Sequence, residues 1–118
     1  MAAHRVGWSC TLYLTAMNVA ELMDGVARMP DGRRRVDLEA ALATRVLPLF
    51  PGRVLPFDEA APFSLARLHS TARTAGHSLG LAESCIAAIS ASWGFAVATH
   101  HLATFMAAGV DLIDPWSD

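Results

Sequence analysis

The sequence contains no lysine at all, and cysteine, tyrosine and charged residues are scarce. All nine basic residues are arginine, and eleven acidic residues give a net charge of −2, which excludes a strongly basic nucleic-acid-binding protein. The two cysteines, Cys10 and Cys85, are too few for a disulfide framework or a cysteine-rich zinc site. We expect both to be free thiols in a reducing cytoplasm. A hydrophobic content of 53% excludes a disordered chain, because such chains lack enough apolar surface to fold.

Long uninterrupted apolar runs are also missing. Polar residues interrupt the run 6–20, and the run 84–99 contains Gly94 and is bounded by Glu83 and His100. Both runs are shorter than the roughly 20 apolar residues of a membrane-spanning helix. We therefore expect a cytoplasmic protein without a membrane anchor, in which the 118 residues form a single domain over 1–118.

Alternating strand and helix patterns run along the chain. Apolar or β-branched runs predict strands at 11–15, 53–57, 95–99 and 110–114, with helices near 18–28, 33–49, 58–75 and 81–93 between them. Asn18 and Glu21 have the spacing of a capping box, and Asp58 and Glu59 suit the start of the third helix. The order predicts an α/β protein with a parallel sheet flanked by helices, whose site lies where the strands end.

Several short segments together resemble the PIN domain of VapC/FitB-type toxins. They are Leu12-Tyr-Leu-Thr-Ala, Val19-Ala-Glu-Leu, Gly80-Leu-Ala-Glu-Ser-Cys-Ile-Ala-Ala-Ile and Gly109-Val-Asp-Leu-Ile-Asp-Pro-Trp. The resemblance covers about residues 12–116. It implies a toxin of a bacterial type II toxin–antitoxin system that binds a cognate antitoxin protein and cleaves RNA as a Mg²⁺-dependent endoribonuclease, with Mn²⁺ as a possible substitute.

The resemblance also assigns site residues. Glu21 and Glu83 fall on two of the family's four acidic positions, so it implies that both are metal-binding and catalytic carboxylates. Such sites need several carboxylates, because Mg²⁺ keeps its waters unless several anionic oxygens replace them, and the ion then activates a water and neutralises phosphate charge.

Two of the four acids are missing. The family begins with a strand ending in Asp-Thr-Asn, which this sequence lacks, and the fourth acid falls on Thr104. We therefore expect an amino-terminally truncated PIN-like domain without the first strand, in which ribonuclease activity is impaired and metal binding is weak. Exposed strand edges would favour a homodimer or other self-association. Two alternatives stay open: a non-catalytic remnant that binds an antitoxin or a toxin partner, and a reading frame whose true start lies upstream.

Each candidate residue also has a purely structural interpretation. Glu21 fits a capping-box partner, and the helix dipole alone favours Glu83 in the first turn of its helix. The run 33–35 of three arginines suits either RNA phosphates or a solvated surface loop. His100 and His101 replace the family's Arg-Asn pair, and histidine prefers softer metals than Mg²⁺.

Overall fold

The computed structural model describes residues 1–6, 9–99 and 102–113. Five strands and five α-helices follow one another along the chain: β1 (Ala2–Val6), β2 (Ser9–Thr15), α1 (Ala16–Ala27), α2 (Arg33–Ala41), β3 (Val54–Leu55), α3 (Ala61–Thr74), α4 (Leu81–Ser92), β4 (Ala96–Ala98), α5 (Leu102–Ala107) and β5 (Leu112–Ile113). The predicted α/β architecture, a sheet flanked by helices, is confirmed. Within the described ranges, no helix is long and apolar enough to cross a membrane.

The five strands form one sheet in the order β3-β2-β1-β4-β5. β2 pairs parallel to β3, and β4 pairs parallel to β5. β1 runs antiparallel to both of its neighbours, β2 and β4. The sheet is therefore mixed, and the expectation of a wholly parallel sheet is corrected. The physical reason is the direct β1–β2 connection, which is too short for the crossover that parallel strands require.

The central strand β1 was not predicted from the sequence. Its residues Ala2 and Ala3 are 0% and 1% exposed, pair with Val97 and Ala96 of β4, and belong to the interior of the molecule. Alanine has a weak preference for strands, so local composition gives no signal here. From the sequence, an interior strand of the sheet was expected to be missing. β1 fills that position, so a missing interior strand is no longer a reason to expect self-association.

One face of the sheet packs against α3 and α4. Ala87, Ala88 and Ile89 of α4 are completely buried, and Leu68 of α3 and Val97 of β4 belong to the same apolar cluster. Small side chains let α4 approach the sheet closely, which gives the tight packing that protein interiors require. This contact fixes the position of α4, whose first turn carries Glu83.

The remaining helices agree with the sequence in place and differ in detail. The helical segment predicted over 33–49 is α-helical to Ala41, continues as a π-helix over Leu42–Val46 and ends as a 3-10 turn over Leu47–Leu49. Asp58 accepts a hydrogen bond from the Ala60 amide (3.1 Å) ahead of α3. The N-cap of α3 is Ala60, without a side-chain cap, so the expectation that Asp58 and Glu59 start this helix is wrong by two residues.

Candidate functional site

Three helices begin at the same edge of the sheet. β2 and β4 point in the same direction, since each is antiparallel to β1, and each leads into a helix, α1 and α5 respectively. α4 ends next to the start of β4, so its own first turn lies at the far end, where β4 finishes. The first turns of α1, α4 and α5 therefore share the edge at which a site was predicted.

Thr15, the last residue of β2, caps α1. Its hydroxyl accepts a hydrogen bond from the Asn18 amide (3.1 Å) and donates one to Asn18 Oδ1 (2.9 Å), which also accepts from the Thr15 amide (2.9 Å). The capping box is therefore Thr15–Asn18, and the predicted Asn18–Glu21 box is wrong. The error arose because Thr15 was assigned only to the strand, although a threonine three residues before an asparagine has the same spacing.

Glu21 is thus free of the capping role that competed with a functional one. It lies in the second turn of α1 and is exposed to solvent. Burial lowers the pKa of the Met1 α-ammonium, and the Glu21 carboxylate opposes this effect electrostatically. The same ammonium donates a hydrogen bond to the carbonyl oxygen of Ala98 at the end of β4 (3.3 Å). Glu21 is therefore in electrostatic range of the predicted edge of the sheet.

Glu83 lies in the first turn of α4 and is half-buried. Its Oε1 atom lies 3.5 Å from the point where a Cβ atom on Gly80 would be, so the carboxylate bends back toward the start of the helix. An apolar cavity of about 320 Å³ lies between α1 and α4, lined by residues that include Ala20 and Cys85. Glu21 and Glu83 thus belong to neighbouring helices that begin at one edge, and the approach of their carboxylates stays a prediction.

The other residues considered in the sequence analysis add little to the candidate site. Thr104 falls within α5, which begins at the same edge, whereas His100 and His101 lie outside the described residues. In the described part of the chain, no group of three or more histidine, cysteine, aspartate and glutamate residues is arranged to hold a metal ion. Arg35 forms ion pairs with Asp31 (2.9 Å) and Glu39 (3.2 Å), which favours a solvated surface over an RNA-binding one for the arginine run. That surface is the first turn of α2 and not the expected loop.

A histidine–serine pair was missed by the sequence analysis. The His69 ring Nε2 lies 2.5 Å from Ser84 Oγ, and the completely buried Ser84 hydroxyl donates its proton to the carbonyl oxygen of Gly80 (2.7 Å). Ser84 therefore accepts from His69, and the pair joins α3 to α4 rather than forming a nucleophile and its base. No sequence spacing indicates this contact, because the two residues belong to different helices.

Comparisons with known proteins agree with this architecture. No family model matches the chain. It is 49% identical over 106 residues to the VapC ribonuclease Y4jK of Sinorhizobium fredii, spanning 90% of this chain and 76% of that protein. It is 40% identical over 107 residues to the toxin FitB of Neisseria gonorrhoeae, spanning 91% and 77%. The crystal structure of FitAcB from Neisseria gonorrhoeae superposes with a TM-score of 0.82 at 40% identity, spanning 90% of this chain and 76% of that chain.

The mixed five-stranded sheet flanked by helices matches the PIN-domain fold of the FitB and VapC structures. At these identities and this coverage, the chain belongs to the family of VapC ribonucleases and FitB toxins. Ribonuclease activity is typical of this family, which generally depends on divalent metals.

Proposed function

We propose that this protein is the toxin of a type II toxin–antitoxin pair, acting in the cytoplasm, in which binding of the antitoxin is retained and cleavage of RNA is impaired. The observation that carries the proposal is the fold of a FitB-type toxin combined with an incomplete set of acids. The superposition with FitAcB supports a preserved overall scaffold. The described residues, in contrast, supply no cluster of three metal ligands.

The described residues support binding of a divalent metal ion less than they support the toxin fold. Glu21 and Glu83 are the two carboxylates that we propose would hold Mg²⁺ or Mn²⁺, and a bound ion would supply an activated water and charge neutralisation. Two carboxylates bind Mg²⁺ weakly, because the ion retains most of its waters unless other anionic oxygens join them. The described residues thus do not provide a complete metal site, and we derive no catalytic step through the ion.

The second candidate is a non-catalytic protein that acts only by binding an antitoxin or an intact toxin subunit. The same absence of a third ligand among the described residues favours it. Losing one group that stabilises transition-state charge costs roughly 10²–10³ in rate. Since two of the family's four acids are missing, the remaining activity would then fall below detection.

The experiment combines a cleavage assay with a binding assay. Labelled RNA is incubated with the full chain and Mg²⁺ or Mn²⁺, with Glu21→Ala as the background control. In parallel, the chain is co-expressed with any small protein whose gene adjoins its own, and a complex is sought by size-exclusion chromatography with light scattering.

We expect a stable complex together with cleavage that is weak and sensitive to Glu21→Ala. Rapid cleavage that Glu21→Ala abolishes would contradict the proposed impairment. A complex without any Glu21-dependent cleavage would favour the non-catalytic alternative. Failure to bind any antitoxin, with the protein folded, would refute the toxin assignment itself.

A further inference from the structure

A small cavity with basic walls lies where α3 ends and the connection to α4 begins. Its volume is about 150 Å³, several times the roughly 30 Å³ that one water molecule occupies in the liquid. The residues that line it are His69, Ala72, Arg73, His77, Ser78 and Leu79. Four of these six side chains carry hydrogen-bond donors, and none of the six is acidic.

The backbone at the end of α3 shapes this cavity. Gly76 adopts a left-handed conformation (φ 76°), which lets the chain turn back over the last turn of α3. The Gly76 amide donates to the carbonyl oxygen of Arg73 (3.0 Å) and the His77 amide donates to that of Ala72 (2.8 Å), the bonds of a Schellman motif. His77 is therefore held beside the side of the helix that carries Arg73.

The opposite wall is fixed by the contact between α3 and α4. His69 lies one turn before Arg73 on α3, and its ring is held by the buried Ser84 hydroxyl of α4. Ser84 directly follows Glu83 in the chain. The basic cavity thus borders the helix start that carries one of the two remaining acids.

Arg73 is exposed and forms no ion pair with any carboxylate in the described part of the chain. Arg35, in contrast, is neutralised by two acids, and Arg53 is occupied by the carbonyl oxygens of Leu12 and Leu49. A favourable interaction with the α3 dipole explains a cation in the last turn. It does not explain a cavity in which that cation meets two histidines and a serine.

We propose that Arg73, His77 and Ser78 bind a phosphate group of the RNA backbone and so position the strand beside Glu83. A planar guanidinium offers paired N–H donors that match phosphate oxygens, and the histidine and serine side chains offer further donors. This inference rests on the proposed function, because it takes RNA as the ligand.

The test measures RNA binding without cleavage. A fluorescein-labelled oligouridylate is titrated with the full chain in EDTA at several salt concentrations, and its fluorescence anisotropy is recorded. Arg73→Gln and His77→Gln are compared with Arg67→Gln, an exposed arginine on the same helix that does not line the cavity. Arg67→Gln changes the net charge by the same amount as Arg73→Gln and therefore controls for general electrostatics.

We expect Arg73→Gln to weaken binding about tenfold and to reduce the slope of log K against log salt by about 0.7, the value for one phosphate contact on a single strand. His77→Gln should weaken binding by a smaller factor, and Arg67→Gln should change neither quantity appreciably. Equal effects of Arg67→Gln and Arg73→Gln would overturn the proposal, because they would indicate a diffuse charge effect.

A second arm separates failure of the cavity from failure of the proposed function. Inorganic phosphate is titrated into the same variants and followed by ³¹P NMR line width. If the unaltered chain binds no RNA, the RNA-cleaving part of the proposed function has failed and the non-catalytic alternative is favoured, and the assignment of RNA as the ligand of the cavity fails with it. If the phosphate line broadens with the unaltered chain and Arg73→Gln removes the broadening, the cavity binds free phosphate. If the line does not broaden at all, the cavity is not a phosphate site.

Discussion

Replacing Asn18 by alanine tests whether the start of α1 depends on the Thr15–Asn18 network. The Asn18 side chain accepts hydrogen bonds from both the amide and the hydroxyl of Thr15, and Thr15 is completely buried. Alanine removes that acceptor and leaves a buried amide without a partner, which costs about 1–3 kcal/mol. Thr15→Val removes the cap on the Asn18 amide instead, a loss of roughly 0.5–2 kcal/mol.

These magnitudes translate into measurable shifts. For a domain of this size, 1 kcal/mol corresponds to roughly 3–6 °C in Tm. We expect Asn18→Ala to lower Tm by about 5–15 °C in thermal unfolding followed by circular dichroism. The double variant should be less destabilised than the sum of the single variants, because both substitutions break the hydrogen bond between the Thr15 hydroxyl and Asn18 Oδ1.

Glu21→Gln is the matched control for this experiment. Its side chain is exposed and takes no part in the cap, so its free energy of unfolding should change by less than about 0.5 kcal/mol. A destabilisation by Glu21→Gln as large as that by Asn18→Ala would show that Glu21 stabilises the start of the helix after all. It would also remove the argument that Glu21 is available for a metal ion.

Three further outcomes can be checked with simple assays. Glu83→Asp keeps the charge but adds no third carboxylate, so it should not restore Mg²⁺-dependent RNA cleavage, and clear cleavage by that variant would contradict the proposed cause of the impairment. Burial raises the pKa of the Cys85 thiol. In a Cys10→Ser background, Cys85 should therefore react with iodoacetamide at pH 8 more slowly in the native protein than after unfolding. Equal rates would contradict this. Among the described residues, the short strand β3 forms one edge of the sheet and pairs only with β2, so we expect a homodimer by light scattering, and a monomer at high concentration would refute it.

Much of the fold followed from local patterns. The apolar runs at 11–15 and 95–99 and the helix from Leu81 were predicted because each pattern lies within a few consecutive residues. β1 could not be found in this way, because its residues are weak strand formers and pair with β4 more than ninety residues later in the chain. The short helix α5 was missed for a related reason, since six residues give too little periodicity.

The edge of the sheet was predictable, and the charge there was not. Element order indicated that α1, which carries Glu21, begins where β2 ends, and the sheet agrees with this, whereas Glu83 was assigned only through the family resemblance. β1 places the Met1 α-ammonium at the same edge, and this placement depends on the direction of β1. Direction is set by pairing with both neighbours, and nothing within residues 2–6 indicates it.

The direction of β1 has a chemical consequence at this edge. A central strand parallel to β2 and β4 would end there and could present an acid immediately after its last residue. β1 instead begins there, and a cationic ammonium reaches the carbonyl oxygen of Ala98. The other end of β1, at Val6, lies at the opposite edge of the sheet, away from the first turns of the helices that carry Glu21 and Glu83. No single substitution at the Val6 end of β1 can therefore place a carboxylate at the site.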